Sequence, residues 1–194
     1  NSGKIVGFEA FSQSQTTYAT LETIYERLDG LRDTIYAALI GDLSVVKGVR
    51  PDFGPENLAV QSGLSLLSEL AFDVSSIPKH AVINNAELEL TKDSLLSVLG
   101  NTFTNKLLVF FVKDSVTNEL DSTVSVTLDA TDSTFKGSIT SYVNRWQSGE
   151  SNQGLMIIPA GIVEGLELFM LKGSNSADFS KRPRLKITYN TIKQ

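Results

Sequence analysis

Between Ser138 and Pro159 the spacing of apolar residues changes from a helical to an extended period, which restricts the chain to folds that lay one short helix against strands. Ile139, Tyr142, Val143 and Trp146 fall at i, i+3, i+4 and i+7 and line one face of a helix over about 139–147. Ser138 is read as its N-cap and Gly149 as its stop. After the polar turn Ser151-Asn152-Gln153-Gly154, the run Leu155-Met156-Ile157-Ile158 has the look of a buried strand closed by Pro159. Trp146, the single tryptophan, is expected to plug the helix onto a sheet, since its helical partners are apolar as well.

Elsewhere the dominant period is two. Ile5 to Phe11 suits an N-terminal strand, set off by the polar stretch Ser12 to Thr17. From Thr17 to Leu28 the helical stripe Tyr18, Leu21, Tyr25, Leu28 competes with β-formers. Asp29-Gly30 between two such runs favours a hairpin. Gly41 to Gly63 holds six breakers, Gly41, Gly48, Pro51, Gly54, Pro55 and Gly63, and reads as a long loop. Leu66 to Val74 alternates with Leu66, Leu70, Phe72 and Val74 inward. Ile83, Ala86, Leu88 and Leu90 resume after the turn around Pro78, with Glu87 and Glu89 toward solvent. Leu107 to Val112 is apolar on both faces and belongs in the middle of a sheet. A polar loop over Asp114 to Asp121 separates it from Thr123 to Leu128, with Val124, Val126 and Leu128 inward. Leu166 to Leu171 and Leu185 to Tyr189 complete a set of about eight to ten strands, the pattern of an all-β jelly-roll sandwich with one short helix.

At 194 residues this is read as a single domain over 1–194, with N-terminal strands in 1–40. Net charge is -5 and the 17 Lys and Arg are dispersed, so there is no basic stripe for a nucleic-acid backbone. The absence of cysteine removes disulfides, thiolate nucleophiles and Cys-ligated zinc. The run around Leu107 is too short to span a bilayer, so a membrane-spanning chain is not expected. A chain opening at Asn1 rather than Met is read as processed or cut from something longer.

Three blocks resemble a known family. Leu70-Ala71-Phe72-Asp73-Val74-Ser75-Ser76-Ile77-Pro78, with Ala81-Val82-Ile83 and Ala86-Glu87-Leu88-Glu89-Leu90 behind it, is similar to a strand-turn-strand unit of the disaggregatase-related (DNRLRE) extracellular domains. Tyr142-Val143-Asn144-Arg145-Trp146 followed by Asn152-Gln153-Gly154-Leu155 resembles that family's helix ending in Trp and its strand entry. Arg182-Pro183-Arg184-Leu185-Lys186-Ile187-Thr188-Tyr189 resembles its terminus. The family-like core covers about 66–190. The resemblance, shared with alginate- and pectin-type carbohydrate-binding modules, implies a jelly roll on secreted or cell-surface proteins, lipoproteins and adhesion proteins among them. It implies a non-catalytic module for carbohydrate binding or cell-surface attachment, with a polysaccharide or cell-surface glycan as partner.

The residues assign no catalytic group. His80, the only histidine, follows Pro78-Lys79 in a turn and reads as a solvated surface residue. No cofactor is expected. Asp121, Asp129 and Asp132 supply oxygens of the kind Ca²⁺ takes, without the spacing of an EF-hand, and no metal site is assigned. Sugar recognition needs exposed aromatics beside polar groups, which selects Tyr36, Arg50, Asp52 and Phe53 as candidate ligand-binding residues. The alternative to a binding module is a structural subunit of a surface or filamentous assembly, in which the tethered strand Ile5 to Phe11 pairs with a neighbour by β-strand addition and the chain self-associates.

Overall fold

The computed structural model describes residues 20–38, 52–63, 66–100, 103–161 and 166–191. The chain divides into two compact units, Asn1–Val49 and Arg50–Gln194. The expected strand over Ile5 to Phe11, and the 41–51 part of the expected loop, lie outside the described residues.

In the first unit, β1 (Thr20–Glu26) and β2 (Arg32–Ala38) form an antiparallel hairpin in register from Thr20 opposite Ala38 to Glu26 opposite Arg32. Asp29-Gly30 decides this. Gly30 sits at φ +80, where a side chain is strained, its N–H donates to the Arg27 carbonyl, and Asp29 Oδ1 accepts from the Leu31 N–H at 3.1 Å.

The second unit carries β3 (Asn57–Gln61), β4 (Ser68–Leu70), β5 (Ala81–Thr91), β6 (Lys106–Asp114), β7 (Glu119–Ala130), β8 (Thr134–Ser138), α1 (Thr140–Gln147), β9 (Leu155–Pro159), β10 (Leu168–Lys172) and β11 (Arg184–Thr191). Seven of these strands form one sheet in the order β11-β5-β8-β7-β6-β9-β4, and β10 pairs with β3 in a second. Every pairing is antiparallel. Leu88, Leu90, Leu107, Val109, Phe111, Leu128, Phe135, Leu155 and Ile157 on the large sheet pack with Val60, Phe169 and Leu171 of the small one in a continuous core, the two layers of an all-β sandwich.

Three local readings are corrected and one strand, β8, is added. The breaker-rich stretch holds a strand after all, because Gly54 and Gly63 bound a five-residue run long enough to pair with β10. The strand expected through Val74 ends at Leu70, where its partner β9 also begins. Phe72 and Val74 still pack on the core without a ladder. β8 had no sequence signal because only Phe135 of its five residues enters the core. Its Gly137 lies so close to β7 that a Cβ would overlap the Thr127 carbonyl oxygen. Val124 is 48% exposed rather than inward, since the β6–β7 ladder passes from Ser125–Phe110 to Leu120–Val112 and the intervening residues leave it.

A second irregularity reconciles the odd spacing of Ile83 and Ala86. Thr188 opposes Asn85 while Tyr189 opposes Ile83, so Asn84 is the extra residue of a bulge and both apolar residues face inward. Helix α1 forms as the spacing requires and buries Tyr142, Val143 and Trp146. Its N-cap is Ile139, not Ser138, and no side chain caps it. Its end is a Schellman motif: Gly149, at φ +100, donates to the Trp146 carbonyl and Glu150 to that of Arg145.

Candidate functional site

The turn preceding β3 builds a cleft. Asp52 Oδ1 accepts from the Gly54 N–H at 2.8 Å, folding the chain into an Asx turn that Gly54 completes at φ +76. Asn57 Nδ2 then donates to the Phe53 carbonyl at 2.8 Å, which fixes the amide and leaves the Phe53 ring half-buried. Asp52, Phe53, Gly54, Asn57 and Ser68 line an open cleft of about 340 Å³ floored by Leu58 and Ala59. Beside it, Lys172 Nζ lies 3.4 Å from Asn57 Oδ1 and 2.7 Å from Asp93 Oδ2. The Lys172 ammonium holds the Asp93 carboxyl below its usual range, with help from the N–H groups of Leu96 and Leu95.

Of the four residues selected from the sequence, the fold brings Asp52 and Phe53 together. Arg50 lies outside the described residues. Tyr36 belongs to the hairpin of the first unit, where its hydroxyl donates to Glu22 Oε1 at 3.1 Å. The sequence reading missed Asn57, Asp93 and Lys172. Each sits at the end of a strand or just past one, and only the β3–β10 register, with Asn57 opposite Lys172, places two of them together.

A second surface runs across the outer face of the large sheet. The register aligns Arg184, Glu89, Lys136, Asp129 and Lys106 on five successive strands, alternating in sign. Arg184 meets Glu89 at 2.6 Å, Lys136 meets Glu89 at 3.0 Å, and Lys106 meets Asp129 at 2.9 Å. Lys136, and then Arg184, hold the Glu89 carboxyl below its ordinary range. Glu89 therefore stands in a charged row rather than simply in solvent.

The carboxylates considered for Ca²⁺ do not converge. Asp121 and Asp129 are eight residues apart on β7, about 25 Å along an extended strand. Asp121 is buried against Arg145 and Asp129 is paired with Lys106. Among the described residues no group of three or more His, Cys, Asp or Glu is placed to hold a metal ion. Trp146 is buried beside Phe111, with ring centroids 6.1 Å apart, and is a core residue. His80 is exposed in its turn.

Fold and cleft together define a β-sandwich module with an open concavity that combines one aromatic ring with polar groups. No protein-family model, curated protein or solved structure matches the chain.

Proposed function

We propose that the chain is a non-catalytic extracellular module for carbohydrate binding or cell-surface attachment, with the Phe53 cleft as its contact surface. The observation that carries this reading is an open cleft lined by the half-buried Phe53 together with Asp52, Asn57 and Ser68. A ring in that setting stacks on the apolar face of a sugar while the neighbouring polar groups take its hydroxyls. The resemblance to DNRLRE-type and alginate- or pectin-type modules supports the same class of ligand, a polysaccharide or cell-surface glycan.

An affinity gel series over acidic and neutral polysaccharides tests it. The full chain is expected to be retained on at least one polymer, and Phe53→Ala to weaken that retention by about tenfold. Absence of retention on every polymer, or retention indifferent to Phe53→Ala and Asp52→Ala together, overturns the reading.

The assembly reading has one observation in its favour: β11 is an outer strand of the seven-stranded sheet and runs for eight residues. Light scattering that finds only monomer at high concentration excludes it.

A further inference from the structure

The large sheet ends on one side at β11, and among the described residues no strand pairs with its free edge. At the opposite side β4 offers only three residues, whereas β11 runs for eight, the bulge beside it being made by Asn84 of β5. The direction of the main-chain groups of β11 follows from β5. Ala86 points away from β11: its carbonyl accepts from the Ile139 N–H at 2.8 Å and its N–H donates to Thr140 Oγ1 at 2.8 Å. Ile187 lies opposite Ala86 and is not bonded to it, so the Ile187 N–H and carbonyl point out of the sheet. By the alternation of an antiparallel ladder, those of Leu185 and Tyr189 do the same. The side chains of these three residues face the core. Leu185 and Ile187 are only partly buried against it, and Tyr189 keeps 39% of its exposure. On the outer face stand Arg184, Lys186, Thr188 and Asn190, all exposed.

We propose that this edge is a dimerisation surface, on which β11 of a second copy of this chain pairs antiparallel across a twofold axis through Ile187. That register meets three separate requirements at once. Ile187 meets the partner's Ile187 and Leu185 meets the partner's Tyr189, all with main-chain groups aimed at the other copy, so the ladder gains about six hydrogen bonds. The same pairs bring incompletely buried apolar side chains together on the core face, which carries the core across the axis. On the outer face Lys186 falls opposite the partner's Thr188. Arg184, already bonded to Glu89 at 2.6 Å, falls opposite the partner's Asn190, so no cation is set directly against another. Neighbouring registers fail one requirement or another. An axis at Lys186 sets two ammonium groups against each other, and an axis at Thr188 leaves Leu185 opposite the partner's Thr191. A slip by one residue sets core-facing side chains against the outer row and puts the bonding groups out of phase. Because the same patch serves on both copies, the contact closes at two and makes a dimer rather than a fibre. This dimer is a closed form of the self-association in the assembly reading, on which it rests, and it does not depend on the carbohydrate reading.

The chain has no cysteine, so single introduced cysteines report the register directly. In the non-hydrogen-bonded pairs of an antiparallel ladder the Cα atoms lie about 4.5 Å apart, within disulfide reach, and Lys186 with the partner's Thr188 is such a pair. Full chain carrying Lys186→Cys, mixed with full chain carrying Thr188→Cys and mildly oxidised, should give a disulfide-linked heterodimer that neither variant forms alone. Sedimentation equilibrium of the wild type should show monomer exchanging with dimer. Thr188→Lys, which sets a cation against Lys186 in both pairs, should weaken the dimer about tenfold, and Thr188→Glu should strengthen it. Position 188 is exposed, and circular dichroism checks that both variants keep the fold. Wild-type monomer at every concentration overturns the dimer and the assembly reading together. A dimer indifferent to both Thr188 variants, a mixture that fails to crosslink, or one cysteine variant crosslinking alone as readily as the mixture overturns the β11 pairing and leaves the assembly reading standing. Retention on polysaccharide is measured separately, so failure here is distinguishable from failure of the carbohydrate reading.

Discussion

Arg145 Nη1 donates to Asp121 Oδ2 at 2.7 Å, joining the end of α1 to the segment of β7 that leaves the β-ladder. The same guanidinium lies 3.9 Å above the Phe111 ring and makes further bonds to Glu150, so one planar cation ties helix, bulge and core together. The hydrogen bonds that Arg145 donates to Glu150, and then to Asp121, keep it charged well beyond any working pH.

The Thr123 hydroxyl first, and then Arg145, lower the Asp121 carboxyl from its ordinary 3.8 to about 2. Above 3.8 the group is ionised in both folded and unfolded chains, and its contribution to stability is complete. As the pH falls from there toward about 2, the unfolded chain takes up the proton first and the contribution is lost. Urea unfolding followed through that window should show a steeper fall for the wild type than for Asp121→Asn. Parallel curves would show that the carboxylate does not stabilise the folded chain.

Tyr142 gives the opposite window. Burial pushes its hydroxyl up to about 12, and the hydroxyl bridges the carbonyls of Val109 and Val124 at 2.9 and 3.0 Å. Below the ordinary value of 10.0 the stabilisation is whole; between there and about 12 the unfolded chain releases its proton first and stability declines. Tyr142→Phe should lower stability at neutral pH by about 1 to 3 kcal/mol, because two inward carbonyls lose a donor. It should also remove this tyrosine's part of the alkaline decline, as read from denaturant midpoints across that range.

Replacing Trp146 with Ala should cost about 3 to 5 kcal/mol, since the indole fills the space between α1 and Phe111. Its Nε1 is buried with no hydrogen-bond partner among the described residues, so the loss is one of packing rather than of a polar contact. A calorimetric change below about 1 kcal/mol would show that the indole contributes little to the core.

The sequence by itself determined the elements whose signal is local. The helix around Tyr142 and Trp146 is written in a 3.6-residue spacing, the hairpin in Asp29-Gly30, and the central strand Lys106–Asp114 in a run apolar on both faces. Each depends on neighbours within a few residues, and a period or a turn pair records them. The Asx turn at Asp52-Phe53-Gly54 is local in the same way, since Asp52 accepts from the N–H of Gly54 two residues on. Tertiary structure alone decided the rest. β8 enters the sheet by filling a gap between β5 and β7 with one core side chain, and Val124 faces outward because the ladder slips beside it. Asn57 and Lys172, 115 residues apart, meet only through the register of two strands, and Asp93 joins them from a third segment. No residue near any of the three announces the others, because strand register is set by the fit of the whole core and not by local preference.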